Sequence, residues 1–454
     1  MNLRRVVRFC AWTIASGVFL VIALYGILVA INWSDEAPSA DAVRLQRTVS
    51  ERAPLADRDN AFVLSLGLLA PQDKDAYQWG LARKAFMEHF VSPASGAYVP
   101  MPGKEVDYMA SRSAATKALD EACKRGDAGC LRLLEQDPAR LDAWLASEAW
   151  LLERYRSLLA CKGWRETLPK ASNAPFATYN GAMTGQMLFL MQALQKARAG
   201  DAATARAMLQ QDLVYWRMVL RSSDLLISKM IAAAAVERHF VLGNLVLREL
   251  QHAGKPVAAP DAWMTPISRD ERSMQRALAG EWTYWGVSMP KQPGDGSLPA
   301  PVQWVVFRLM RPTYQPQATN NLYATFLLDQ AKDVDVDFRK LPQAVRAASP
   351  DMASAHFFRA YNTMGYILYL ITTTNDFTGY AVRVSDLEGV RRAALLAVDM
   401  RSDASDASTP LRRIEASAWR NPYTDRAFQW EPQTQGIVFE GLSGGERGHQ
   451  TVLF

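Results

Sequence analysis

Concentrated positive charge is missing from this sequence of 454 residues. Lysine and arginine number 51 against 46 acidic residues, so the net charge is only +5, and no run of clustered Lys or Arg occurs. A protein that binds nucleic acid needs a concentrated basic surface. We therefore expect no nucleic-acid partner.

Histidine is scarce as well, and the five histidines do not fall at metal-binding spacings. None forms H-E-x-x-H or a similar helical pair, and neither a P-loop nor a dinucleotide fingerprint occurs. Glu237 and His239 are two residues apart on one predicted helix, so they face different directions. We expect neither a metal site nor a bound cofactor.

A single stretch matches a catalytic motif literally, because Gly-Leu-Ser-Gly-Gly at 441–445 has the G-x-S-x-G pattern of hydrolases. That motif places its serine on a strand-to-helix turn, with the acid and the histidine later in the chain. Only nine residues follow Gly445, and no Asp follows His449. The pattern therefore predicts a hairpin loop.

An apolar segment stands at the N-terminus. Phe9–Ile31 runs without a charge for 23 residues, which at about 1.5 Å per residue spans a bilayer core of about 30 Å. Three arginines precede it and two acids follow, which places the N-terminus in the cytoplasm. No other segment is expected to be long and apolar enough to span, because the nearest, Leu225–Val236, is short and is interrupted by Lys229.

A cleaved secretory signal is the alternative for this segment. Signal h-regions are about 7–15 residues long and end at a small-residue site. This run is longer, and in Leu28-Val29-Ala30 the large Leu28 stands where a small residue is required. We predict an uncleaved anchor that contacts the lipid bilayer through residues 9–31. The remainder would lie outside the cytoplasm, in the periplasm of a Gram-negative bacterium, with the anchor in the inner membrane.

The stretch Tyr179–Leu250 has apolar residues at the i, i+3, i+4, i+7 spacing of half-buried helices. This spacing predicts helices at Ala182–Ala199, Ala202–Arg221 and Asp224–Arg248. The Gly200-Asp201 turn between the first two resembles a TPR-like hairpin, although no fixed period of about 34 residues occurs. We expect a mainly α protein with an irregular multi-helix body.

The rest of the chain is predicted to add helices and a small antiparallel β element. Further helices are predicted at 62–69, 75–90, 106–124, 131–135, 139–159, 268–285, 302–310, 319–332, 353–373 and 386–401, and strands at 428–430, 436–440 and 451–454. A Pro- and Gly-rich segment, Gly286–Pro301, marks a boundary or a mobile loop. The predicted division is 1–33 (cytoplasmic N-terminus and anchor), 34–285 (helical body), 286–403 (second helical section) and 404–454 (C-terminal turn and hairpin).

Two cysteines flank a turn-like stretch. Cys123 and Cys130 can form a disulfide in an oxidising compartment, provided that their Cα atoms come within about 7 Å. Two unpaired structural cysteines are the alternative. A metal site is not expected, because no histidine is near.

Two charged residues, Lys229 and Glu237, lie two turns apart on an otherwise apolar predicted helix. Buried charges need partners, so the two residues are a candidate buried polar pair. The simpler interpretation is an exposed stripe that also includes Asn244.

Glu281 is the weak candidate for a catalytic residue, since it lies among aromatic residues in Gly-Glu-Trp-Thr-Tyr-Trp at 280–285. A carboxyl in an apolar pocket has a raised pKa and can act as a general acid on a glycan. Superhelical lytic transglycosylases place a catalytic Glu on a helical body, but the rest of their catalytic-domain pattern is absent here.

The predicted helix at 302–310 offers a further surface. Trp304, Phe307, Arg308 and Arg311 suit a short helix on a membrane surface. Ordinary core packing of the same helix is the alternative, and the simpler one.

Two C-terminal stretches resemble a family. Asp-Leu-Glu-Gly at 386–389 leads into an Ala/Leu helix, and Asn-Pro-Tyr-Thr at 421–424 precedes Phe428–Trp430 and Val438–Glu440. The pattern is similar to the end of uncharacterised single-pass bacterial envelope proteins with a helical body. Asp425 and Ala427 depart from the Gly and Pro usual there. The resemblance implies no site residues.

Together these features favour a membrane-anchored envelope scaffold or accessory protein that binds one or more envelope proteins and has no enzymatic activity. A cell-wall enzyme with Glu281 as general acid is the alternative. A helical domain that binds a lipid or small ligand is the third possibility.

Overall fold

A computed structural model of the protein describes residues 3–93, 97–124, 126, 128–288, 300–347, 359–373, 377–402 and 409–454. The protein is mainly helical, with a small antiparallel sheet at its C-terminal end, as predicted. Contacts group the chain into two compact units. Unit 1 is Met1–Arg47, Ser288–Asp329 and Ser349–Asp376, and unit 2 is Thr48–Val287, Gln330–Ala348 and Phe377–Phe454.

The secondary structure runs in this order. The first helices are α1 Leu3–Ile31, α2 Ala40–Ser50, α3 Ala61–Ser65, α4 Ala76–Glu88, α5 Tyr108–Ser111, α6 Ala114–Cys123, α7 Ala128–Gln136, α8 Ala139–Ser147, α9 Ala149–Leu159, α10 Asn180–Arg198 and α11 Ala202–Ser222. The later helices are α12 Leu226–His252, α13 Asp261–Met264, α14 Arg269–Arg272, α15 Gln275–Ser288, α16 Ala300–Met310, α17 Pro316–Asp333, α18 Leu341–Ala347, α19 Thr363–Thr372, α20 Thr378–Ser402 and α21 Pro410–Ala416. The strands are β1 Gln429–Glu431, β2 Gly436–Glu440 and β3 His449–Leu453.

The core of unit 2 is built from α10, α11 and α12, which contact one another, and from α20, which packs on α12. The three helices predicted in this stretch are therefore confirmed. Gly200 ends α10 with a φ of +76°, a conformation that glycine adopts without steric cost. Asp201 then caps α11 by accepting the Thr204 N–H at 3.1 Å.

Two helices of the described chain are long and apolar enough to cross a membrane, Val7–Ile31 and Leu226–His252. No residue of the first is buried, whereas most of the second is buried inside unit 2. The expectation that no second segment has a spanning composition is thus wrong. The helix continues well beyond Val236, and its apolar residues contact other helices.

Two predicted helices are interrupted in the structure. The predicted helix 139–159 breaks at Glu148, which is buried and accepts two hydrogen bonds from Arg112, at 2.6 and 2.8 Å, and one from Trp144 at 3.0 Å. The predicted helix 268–285 starts with a capping box formed by Ser268 and Glu271 but ends at Arg272, and α15 begins at Gln275. In both places the sequence keeps its apolar period across the break.

The sheet has the strand order β1-β2-β3 and is antiparallel throughout. All three predicted strands are confirmed within two residues of their bounds. The Gly-Leu-Ser-Gly-Gly stretch lies in the loop between β2 and β3, which confirms the predicted hairpin loop.

The residues that carry the family resemblance pack together in unit 2. Asp386 accepts hydrogen bonds from the Leu442 and Ser443 amides, both at 2.9 Å, and from the Tyr423 hydroxyl at 2.7 Å. A Cβ on Gly389 would come within 2.0 Å of the Phe439 ring. These contacts therefore hold the sheet against α20, so the residues that carry the resemblance have a structural role.

Unit 1 surrounds the C-terminal end of α1. The Asn32 side chain donates to the Ala360 carbonyl at 2.8 Å and accepts the Asn362 N–H at 2.6 Å. Asp35 accepts the Gln317 and Ala318 amides at 2.7 and 3.0 Å, so it stabilises the start of α17. Of the predicted helix 353–373, residues 353–358 lie outside the described chain, and α19 begins at Thr363.

Candidate functional site

An open cleft of about 1020 Å³ lies in unit 2 and is a candidate site. Three parts of the chain line it: α12, the loop that joins α6 to α7, and the C-terminal sheet with its loops. The lining residues are Lys124, Gly126, Gly129, Arg132, Ala234, Glu237, Arg238, Val241, Gln433, Thr434, Gly445, Arg447, His449, Gln450, Thr451 and Leu453.

The cleft lining carries four cationic side chains and one carboxylate. Arg132 and Arg447 are exposed, and their guanidinium groups have no hydrogen-bond or ion-pair partner within the described chain. Lys124 pairs with Glu121 at 2.6 Å, an exposed contact that contributes little. His449 contacts Glu440 at 2.7 Å. The excess of positive charge favours an anionic ligand.

Two adjacent residues of α12 form the charged part of the cleft floor. Arg238 donates to the Met183 carbonyl at 2.9 Å, and burial lowers its pKa. Burial also raises the pKa of Glu237, while a hydrogen bond from Gln450 acts in the opposite direction. Because both side chains are partly desolvated, an opposite charge on a ligand would interact with either of them more strongly than with a charge on an open surface.

The loop between α6 and α7 is closed by a disulfide between Cys123 and Cys130, whose Cα atoms are 4.5 Å apart. Gly126 has a φ of +59°, and a Cβ there would come within 2.4 Å of a Val241 methyl group. Gly126 thus lies closely against α12, and Lys124 lines the cleft. Arg125 and Asp127 lie outside the described residues.

The outer edge of β3 borders the cleft. Gly441 donates to the Gly448 carbonyl at 2.7 Å, and Phe454 donates to the Gln435 carbonyl at 2.9 Å. Because paired residues alternate along an antiparallel ladder, the backbone groups of Thr451 point away from β2. They have no hydrogen-bond partner among the residues described. The carbonyl of Leu453, two residues later, accepts a hydrogen bond from Arg401 at 2.6 Å.

Glu281 lies outside this cleft and has a structural contact. It accepts the Leu226 amide at 3.1 Å, while Glu166 accepts the two preceding amides, of Asp224 and Leu225, at 2.5 and 2.9 Å. Two carboxylates thus satisfy three consecutive donors at the start of α12, where negative charge is favourable. Burial raises the pKa of Glu281 and raises that of Glu166 to about 7.

Lys229 and Glu237 have separate surroundings. Lys229 is 2% exposed and donates to the carbonyls of Leu220 and Glu271, both at 2.9 Å. Burial lowers its pKa to about 7. No ion pair joins it to Glu237 in the described structure. The exposed-stripe interpretation is wrong for Lys229 and for Asn244, because neighbouring elements supply acceptors and donors that the sequence period does not reveal.

A His–Asp pair is present, but it is sealed in the core. His239 and Asp212 are fully buried, with Nδ1 and Oδ2 2.8 Å apart. The Trp263 indole N–H donates to His239 Nε2 at 2.8 Å, so the ring is the Nδ1–H tautomer and donates to Asp212. Asp212 also accepts from Tyr155 and Gln186. The arrangement stabilises the packing of α11 and α12 and offers no access to a substrate.

No protein-family model, curated protein or solved structure matches the chain. The residues the structure describes contain no group of three or more His, Cys, Asp or Glu arranged to hold a metal ion. The site residues that sequence reasoning missed are Arg132, Arg238, Arg447 and the backbone of Thr451. Their only common signal is a position beside a turn or on α12, which many other residues share.

Proposed function

We propose that the protein is a membrane-anchored accessory protein or scaffold of the bacterial envelope. It acts without catalysis by binding an extended acidic segment of a partner protein in the unit 2 cleft. The observation that carries the proposal is the outward-facing N–H and carbonyl of Thr451 on the outer edge of β3, beside four cationic side chains, Lys124, Arg132, Arg238 and Arg447.

A strand edge and positive charge suit one kind of ligand. An extended peptide that adds to a sheet edge gains main-chain hydrogen bonds, and its alternate side chains then point into the flanking pockets. The cations on both sides of β3 select acidic side chains and repel basic ones. A TPR-like character of the α10–α11 hairpin is part of the proposal, since helical hairpins of that kind bind proteins.

The proposed location is the inner membrane, with a cytoplasmic N-terminus and a periplasmic body. The exposed apolar helix Val7–Ile31 and the charges that flank it support this topology. The Cys123–Cys130 disulfide supports an oxidising compartment. The resemblance of the C-terminal segment to bacterial envelope proteins points to the same location.

The binding proposal is tested with the full-length protein in neutral phosphatidylcholine nanodiscs. A fluorescein-labelled (Thr-Glu)5 peptide is expected to bind, measured by anisotropy, and (Thr-Lys)5 is not. Charge reversal of Arg132 and Arg447 to Glu should weaken binding by about tenfold, since each of the two lost contacts is exposed and contributes about 0.5–1 kcal/mol. Lys117→Glu, an exposed change on α6 outside the cleft lining, should leave the affinity unchanged.

Substitutions at Thr451 distinguish binding by strand addition from binding by charge attraction alone. Thr451→Pro removes an outward-facing N–H and should abolish peptide binding, whereas Thr451→Ala keeps that N–H and should retain it. Equal affinities of these two variants would refute strand addition. If (Thr-Glu)5 and (Thr-Lys)5 bind alike, the proposed selectivity is wrong.

The location is tested separately. A cysteine placed at Lys117 should react with a membrane-impermeant maleimide once the outer membrane is permeabilised, because α6 is exposed. Cys123 and Cys130 are disulfide-bonded and fully buried, so they should react only after reduction and unfolding. Protection of the cysteine at position 117 until the inner membrane is lysed would place the body in the cytoplasm and overturn the topology.

A further inference from the structure

The helix α16 in unit 1 has an apolar face that no described part of the unit covers. Val302, Val305, Val306 and Leu309 follow the i, i+3, i+4, i+7 spacing of one helix face, and each is 45–52% exposed. Trp304, on the same helix, is 53% exposed. A folded domain in water rarely leaves so continuous an apolar face in solvent.

This face continues the surface of the anchor. The Tyr25 hydroxyl of α1 donates to the Leu309 carbonyl at 3.0 Å. Tyr25 lies six residues before Ile31, the last residue of α1, which corresponds to a depth of about 9 Å along the helix axis. The C-terminal end of α16 therefore lies beside a part of α1 that is within the bilayer if α1 spans it.

The link between α16 and α1 is fixed by a second set of contacts. Gln315 donates to the Asn32 carbonyl at the end of α1, and Asn362 accepts the Gln315 amide at 2.9 Å. Gly365, in the first turn of α19, packs against Thr319 and Asn362, where a Cβ would come within 2.1 Å of both side chains. The position of α16 and α19 next to the end of α1 is thus set by buried polar contacts.

The helix α19 has the same character as α16. It is a short apolar helix of 10 residues, too short to span a bilayer. Ile367 and Ile371, one helical turn apart, are 40% and 65% exposed. Within α16, the Arg308 guanidinium lies 5.2 Å from the Trp304 ring centroid. A Trp with a cationic neighbour is typical of the interface between lipid and water.

We infer that α16 and α19 are embedded in the lipid beside the anchor, in the leaflet that faces the folded body. The occupant of their apolar faces is the acyl-chain region of the bilayer. Unit 1 is then a membrane-associated unit built on a single span, rather than a soluble domain attached by a tether. The inference goes beyond the proposed partner binding and depends only on α1 spanning the bilayer.

The test is photocrosslinking of the full-length protein in nanodiscs of one defined phosphatidylcholine. Benzoylphenylalanine replaces Val305, Leu309 or Ile371 in three separate variants. Leu20, in the middle of α1, serves as the position that must contact lipid, and Asp329, exposed on α17, as the polar control in the same unit. Lipid adducts are measured by intact-protein mass spectrometry.

The three test positions should give lipid adducts within about threefold of the yield at Leu20, and about tenfold above the yield at Asp329, because all contact acyl chains. Adducts at Leu20 with none at the three test positions would overturn the inference. Crosslinked dimers at these positions would also overturn it, since a second copy would then cover the face. Absence of lipid adducts at Leu20 itself would instead refute the spanning anchor.

Discussion

Replacement of Asp212 by Asn is the sharpest available test of the buried network in unit 2. Asp212 is fully buried and accepts three hydrogen bonds. The Tyr155 hydroxyl donates to Oδ1 at 2.6 Å, while His239 Nδ1–H and Gln186 Nε2–H donate to Oδ2 at 2.8 and 3.1 Å. The change conserves shape and removes only the charge and one acceptor.

The expected cost follows from these three donors. An Asn amide can direct its oxygen to only one of the two acceptor positions, so its NH2 group faces at least one donor. A hydrogen bond to a charged group contributes about 1.5–3 kcal/mol, and the two that survive lose their charge assistance. We expect a destabilisation of about 3–5 kcal/mol, a large part of the about 5–15 kcal/mol that stabilises a typical protein.

The assay is urea unfolding of the full-length protein in detergent micelles, followed by tryptophan fluorescence. Asp142→Asn is the matched control, because Asp142 is exposed and accepts one hydrogen bond, from Gln195 at 2.5 Å. It should change the free energy of unfolding by less than about 0.5 kcal/mol. Equal stabilities of the Asp212→Asn and Asp142→Asn variants would refute the assignment of three hydrogen-bond donors to the Asp212 carboxyl group.

Two further changes test the start of α12. Burial raises the Glu166 pKa from 4.5 to about 7, so the folded state holds a proton that the unfolded state releases. Wild type should therefore lose about 3 kcal/mol of stability relative to Glu166→Gln between pH 4.5 and 7, and a flat difference would contradict this. Gly280→Ala would bring a Cβ within 1.6 Å of the Asp224 carbonyl and should destabilise by about 1–3 kcal/mol or more in thermal unfolding. Gly379→Ala, with nothing within 4 Å, should be neutral or slightly stabilising.

The helices and strands of unit 2 could be predicted because their signals are local. The apolar period of α10, α11 and α12 lies within about 20 to 27 residues of chain in each case. In the C-terminal strands, apolar and polar residues alternate, and turn residues flank each strand. Their bounds could therefore also be predicted. The breaks at Glu148 and Ser273 were not, because the partner of Glu148 is Arg112, which no local window contains.

The cleft could not be predicted for the same physical reason. Arg132, Arg238 and Arg447 come from three segments more than 100 residues apart, and only the packing of the sheet and the disulfide loop on α12 brings them together. The sequence itself shows no run of clustered basic residues. Positive charges that only the folded structure brings together cannot be identified from the local composition of the sequence.

The helices α1 and α12 show what distinguishes an exposed apolar helix from a core helix that also has a spanning length and composition. Buried polar residues recur along α12 and have partners on other elements. Lys229 donates to two carbonyls, His239 donates to Asp212, and Glu249 accepts from Arg198 at 2.8 Å. In lipid, such groups would stay unsatisfied at a cost of several kcal/mol each. The apolar run of α1 has no charged residue to satisfy. Polar side chains with distant partners therefore fix α12 within unit 2, whereas the absence of such groups leaves the exterior of α1 suited to lipid.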